Sequence, residues 1–127
     1  MAFIDMLWND WSPGYDGVRD AQHVKDCLTN PENLVAALGY YRATLGAGSH
    51  DPALADTEAN TSAIPPQPTR YIHGATDGCI GVEVAESARA MCPSVDFQIV
   101  EGAGHFMQLE KPDVVNKLIV DWVTAAG

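Results

Sequence analysis

Thr69-Arg70-Tyr71-Ile72-His73-Gly74 and Val95-Asp96-Phe97-Gln98-Ile99-Val100 are the two stretches whose reading decides the fold. Both are short, rich in β-branched and aromatic residues, and closed by glycine-containing loops, which is the pattern of a β-strand. Between them, Glu83 to Met91 places Val84, Ala88 and Met91 on one side of a helix. Beyond the second strand lies the loop Glu101-Gly102-Ala103-Gly104-His105. A final helix then starts after Pro112 and carries Val114, Leu118, Ile119 and Trp122 on one face. Strand, helix, strand, helix in about 55 residues implies parallel pairing with a crossover helix. The class is α/β.

Upstream, the pattern changes to helix. Phe3, Ile4, Leu7, Trp8 and Trp11 recur at three-and-four spacing until Trp11-Ser12-Pro13-Gly14 breaks the run. Val18, Ala21, Val24, Cys27 and Leu28 form a second amphipathic stripe that ends near Thr29. Asn30-Pro31-Glu32 opens a third helix, with Asn as N-cap, Pro at the first helical position and a carboxylate in the first turn. It carries Leu34, Val35, Leu38, Tyr41 and Leu45, and Gly46 suits its C-terminal stop. From there to Pro68, Gly, Ser, Asp, Asn, Thr and Pro dominate. This reads as a long loop or linker, with room for one short turn of helix around Pro52 to Ala55. No internal repeat is visible.

Composition narrows the function classes. With 127 residues the chain has room for one domain, and 46% hydrophobic residues suffice for a packed core. Seven Lys and Arg face 17 Asp and Glu, a net charge of −10. A phosphate-binding surface needs clustered cations, so neither a nucleic acid nor an anionic membrane is expected as partner. The three cysteines, Cys27, Cys79 and Cys92, have neither an even count nor CxxC spacing. They fit thiols in a reducing compartment better than a disulfide framework or a zinc site. The apolar N-terminus contains Asp5 and Asp10 and lacks the basic start of a signal peptide. No apolar run approaches the roughly 18 to 20 residues of a membrane span. A cytoplasmic location is the expectation.

Two residues stand where chemistry gathers in parallel sheets, just past the carboxyl ends of strands: Asp77 and His105. A carboxylate beside an imidazole fixes its tautomer and stabilises its protonated form, which a general base requires. Each residue alone also fits a plain structural role, Asp77 as a turn residue bonding nearby amides and His105 as an ordinary loop histidine. Their matched placement after neighbouring strands favours the catalytic role. His23 on a helix, His50 in the linker and His73 inside a strand show no ligand spacing, so no metal site is expected.

The runs PTRYIHGATDGCIG (68–81) and VDFQIVEGAGHFMQLEKPDVVNKLIVDWV (95–123) resemble the C-terminal end of an α/β-hydrolase. NPENLVAALGYYRATLG (30–46) is similar to the cap domain of the epoxide-hydrolase and haloalkane-dehalogenase branch. The resemblance implies a helical cap segment over 1–46, a linker over 47–68, and the C-terminal part of the core, two parallel strands with flanking helices, over 69–127. It also implies that Asp77 is the triad acid and His105 its histidine, with no cofactor needed. Tyr41, directly before Arg42, matches the cap tyrosine that hydrogen-bonds an epoxide oxygen; a helix tyrosine packing on the core with its hydroxyl in water is the other reading. Trp8 and Trp11 would line the pocket or pack the cap. The nucleophile elbow G-x-S-x-G or its Asp variant does not occur, since Gly46-Ala47-Gly48-Ser49-His50 lies in the linker and does not match it.

An acid and a base without a nucleophile are expected to be inactive alone, and to act on a small-molecule substrate only when an N-terminal half completes the site. An apolar sheet edge left open would favour self-association. The nucleophile type, Ser or Asp, stays open. Other roles compatible with these residues are a non-catalytic interaction module, or a remnant of a Ser esterase or dehalogenase.

Overall fold

Thr69–Gly74 (β1) and Val95–Val100 (β2) pair in parallel, in register from Thr69 opposite Val95 to Gly74 opposite Val100. They lie in a computed structural model that describes residues 2–46, 48–61 and 63–125. Both strands therefore end at the same side of the sheet, and the loops that start at Ala75 and Glu101 leave it together. The α-helices are α1 (Ala2–Trp11), α2 (Val18–Cys27), α3 (Pro31–Thr44), α4 (Ala55–Asn60), α5 (Val82–Met91), α6 (Met107–Glu110) and α7 (Pro112–Ala125). The expected α/β order of a helical segment followed by two parallel strands with flanking helices is the one observed.

Local chemistry explains most boundaries. Asn30 accepts the Glu32 amide at 2.9 Å with Pro31 at the first helical position, so α3 starts where its cap demands. Gly46, at φ +80°, closes that helix in a conformation that other residues avoid. The linker holds more helix than expected. Asp51 accepts the Ala53 amide and starts a 3-10 turn, Pro52–Leu54, which runs directly into α4. Ala55, Glu58 and Ala59 are good helix formers and carry the turn onward. Helix α6 was not expected either. It is a single turn, cut from α7 at Pro112, which has no N–H to continue the ladder.

The polar tie between the sheet and α7 runs through Arg70. Arg70 and Asp96 are register partners; Arg70 Nε donates to Asp96 at 2.5 Å and Nη1 to the Leu118 carbonyl at 2.8 Å. The guanidinium lies 4.6 Å from the centre of the Trp122 ring. The apolar core beneath is small: Val100, Ala103 and Val115, flanked by Ile72, Met107 and Leu118. Much apolar surface stays outside it, including Phe3, Val35 and Tyr41. The chain exposes 8901 Å², about a third more than the roughly 6,600 Å² that size scaling gives a folded monomer of this mass. Cys27 and Cys79 are exposed and Cys92 half-buried, all as free thiols. No helix among the described residues is long and apolar enough to cross a membrane.

Candidate active site

Asp77 follows β1 after Gly74-Ala75-Thr76, and His105 follows β2 after the loop Glu101-Gly102-Ala103-Gly104. The two loops touch through backbone. The Ala75 amide donates to the Val100 carbonyl at 3.0 Å and the Thr76 amide to that of Ala103 at 2.9 Å. Gly74 and Gly104 permit this approach, because a Cβ on Gly74 would collide with the Gly104 carbonyl and one on Gly104 with Ser12.

The result brings the two side chains together. His105 Nδ1 lies 3.0 Å from Asp77 Oδ2 and 3.2 Å from Oδ1. An ionised carboxylate only accepts, so Nδ1 carries a hydrogen, and in the neutral imidazole this leaves the lone pair on Nε2. No hydrogen bond occupies His105 Nε2 among the described residues. The imidazole is 29% exposed while the Asp77 side chain is 7% exposed, which leaves the base reachable and its carboxylate covered.

Asp77 is held on its other side by an Asx turn, Oδ1 accepting the amides of Cys79 at 2.8 Å and Ile80 at 3.0 Å. Burial pushes its pKa up, but the amides of Ile80 and Cys79 and the imidazole of His105 together outweigh burial. The carboxyl is held below the usual carboxylate value. Burial, and after it the Asp77 charge, push the Cys79 thiol and the Tyr71 phenol up. His73 is buried beside this pair, Nε2 donating to the Ile80 carbonyl at 2.9 Å and Nδ1 accepting from the Tyr71 hydroxyl at 3.0 Å. That histidine braces the turn carrying Asp77.

Asp77 and His105 line a small cavity of about 180 Å³. Tyr41, Trp8 and Trp11 line a different one, an apolar groove of about 560 Å³ between α1 and α3. Phe106 joins the two regions: its ring stacks on Trp8 at 4.0 Å, and the Trp11 ring meets His105 edge-on at 4.9 Å. Sequence reasoning brought out these five positions but gave no role to Ser12 and Glu110, which the structure places against the His105 loop. Ser12 Oγ donates to Glu110 at 2.7 Å and accepts the Phe106 amide at 3.0 Å. Glu110 was visible only as part of GHFMQLEKP, and Ser12 lies too far away in sequence to be connected to it. His50 pairs with Glu58 at 2.9 Å, away from the site. No group of three or more potential metal-ligating side chains occurs among the described residues.

No family model matches the chain, and no solved structure does. A curated protein does: the AB hydrolase superfamily protein YfhM of Bacillus subtilis (strain 168), 31% identical over 104 residues. The match covers 82% of this chain and 33% of YfhM, so the chain spans about a third of that relative's length. Two parallel strands with flanking helices behind a helical segment suit the C-terminal part of such a fold. The chain is thus related to the α/β-hydrolase superfamily.

Proposed function

We propose that this chain supplies the acid and the base of a hydrolytic triad, Asp77 and His105, to a site whose nucleophile lies outside these 127 residues. One observation carries this reading: His105 Nδ1 sits on both oxygens of a covered carboxylate while Nε2 is free and reachable. In the reaction an Asp nucleophile attacks an epoxide carbon and breaks the ring C–O bond, whose oxygen takes up a proton. Alternatively a Ser hydroxyl gives its proton through His105 to the alcohol it displaces from an ester. Either route leaves a covalent ester. His105 Nε2 then takes a proton from water as the water attacks the ester carbonyl, and Asp77 stabilises the imidazolium that results.

The parent activity is epoxide hydrolase-like. Tyr41, at the wall of the apolar groove, donates a hydrogen bond to the epoxide oxygen as the ring opens, and Trp8 and Trp11 hold the apolar part of the substrate. Exposed Phe3, Leu34, Val35 and Leu38, together with a total exposed area about a third above that of a folded monomer of this mass, support further polypeptide packed against this face.

The test is to combine the chain with a polypeptide carrying a nucleophile elbow, taken from the part of an α/β-hydrolase that precedes the matching region, and to assay ester and epoxide hydrolysis. The chain alone is expected to turn over neither substrate. In the combined protein, His105→Ala should lower the rate by about 10²–10⁴-fold. Tyr41→Phe should cause a large loss on the epoxide alone. Full activity of His105→Ala in the combined protein would refute the role of the pair. Equal rates for Tyr41→Phe and the parent on both substrates would return Tyr41 to packing.

A further inference from the structure

Three successive backbone amides run through the catalytic-histidine loop, and each donates to a different fixed acceptor. The Gly104 amide donates to Glu110 Oε2 at 2.8 Å, the His105 amide to the Trp11 carbonyl at 2.9 Å, and the Phe106 amide to Ser12 Oγ at 3.0 Å. Ser12 Oγ spends its one proton on Glu110 Oε1 at 2.7 Å, which joins two of these acceptors. The Trp11 carbonyl is shared, since it also accepts the Gly78 amide of the Asp77 loop at 3.2 Å. Ser12 is 1% exposed, so water cannot replace its hydroxyl without opening the packing.

The loop needs this support. It contains Gly102 at φ +66° and Gly104, residues that leave a backbone many alternatives. A base must be held within a few tenths of an ångström of its carboxylate to keep one tautomer. We propose that Ser12 and Glu110 are positioning residues for His105, a linked pair that sets the loop so that Nδ1 meets Asp77. The proposal rests on the acid–base reading above and extends it to two residues that touch no reacting atom. It makes the turn after α1, in the helical segment, a working part of the site.

The experiment uses the full chain and reads the downfield proton resonance of the His105 Nδ1–H held by Asp77, assigned by its disappearance in His105→Ala. Ser12→Ala and Glu110→Ala should each abolish or broaden that resonance while the amide spectrum of β1 and β2 is retained. Glu110→Gln should keep it, because the amide oxygen still accepts from Gly104 and the amide nitrogen donates to Ser12 in reverse. An unchanged resonance in either alanine variant would overturn the proposal, as would its loss in Glu110→Gln. Should one alanine variant not fold, the other decides by the same criterion. Unfolding of both would make the pair a general staple of the fold and overturn the positioning role. Absence of the resonance in the parent chain would overturn the acid–base reading and this proposal with it, which separates the two failures.

Discussion

Replacing Asp77 by Asn changes the fewest atoms and should change the most chemistry. The Asn side-chain oxygen can still accept the amides of Cys79 and Ile80, now at 2.8 and 3.0 Å, so the turn survives. The new NH₂ group then faces His105 Nδ1, which can only accept from it. The imidazole must move its proton to Nε2, and the lone pair that served as base is gone. The stability cost is one charge-assisted hydrogen bond, about 1.5–3 kcal/mol, reduced to the lower part of that range by the partial exposure of His105. The rate cost in the combined hydrolase should be far larger, about 10⁴-fold, because the tautomer is wrong in every molecule. Urea denaturation gives the first quantity, initial rates the second, and ring-nitrogen chemical shifts of His105 give the tautomer directly. Retention of a tenth of the parent rate, or a ring still protonated at Nδ1, would refute the reasoning.

Asp77 also predicts an acid limb. Its carboxyl is held below the usual value, so the stability it contributes is fully present above that usual value and is lost as pH falls through the lower, folded value. Urea midpoints measured from neutral pH down to about pH 2 should fall less steeply in Asp77→Asn than in the parent. Arg70→Ala loses the Asp96 pair, the bond to the Leu118 carbonyl and the stack on Trp122, and should cost about 2–3 kcal/mol in the same denaturation assay. Arg70→Lys should recover little of it, since an ammonium cannot make both bonds and stack. The surplus exposed surface predicts self-association: sedimentation should give a mass above 13.6 kDa that falls on dilution. A cooperative unfolding transition of a dilute monomer would contradict it.

The strands and the placement of Asp77 and His105 were legible because they depend on local signals. Tyr71, Ile72, Phe97 and Ile99 mark strands by type, and the glycines after them mark their ends. A helix lying between the two strands favours a parallel crossover over a hairpin, and with parallel pairing both loops leave the sheet on one side. What could not be read is what depends on contacts between distant residues. Ser12 meets Glu110 and Phe106 across more than ninety residues, and a serine in a turn signals nothing beyond the turn. The Arg70–Asp96–Trp122 tie requires knowing the strand register to the residue. The helix in the linker was missed for the opposite reason: proline-rich flanks outweighed the good local propensity of Ala55, Glu58 and Ala59. His73 read as an ordinary strand histidine, because its value lies in the Ile80 carbonyl that the following turn brings back to it.

Gly74 and Gly104 meet backbone to backbone, so the closeness of the two loops at this point is set by main-chain atoms, with the Ser12–Glu110 pair steering the His105 end. That separates two properties that are usually coupled in an active site. Thr76 and Glu101 are exposed on these same loops and contribute no side chain to the contact, so both positions are free to diverge. A library randomising those two positions should yield many folded members that keep the Asp77–His105 distance while presenting different surfaces at the mouth of the site. A library randomising the two glycines should yield almost none. The scaffold therefore has room for adaptation at its rim and none at its hinge, which makes the rim the place to look for differences in selectivity among chains of this architecture.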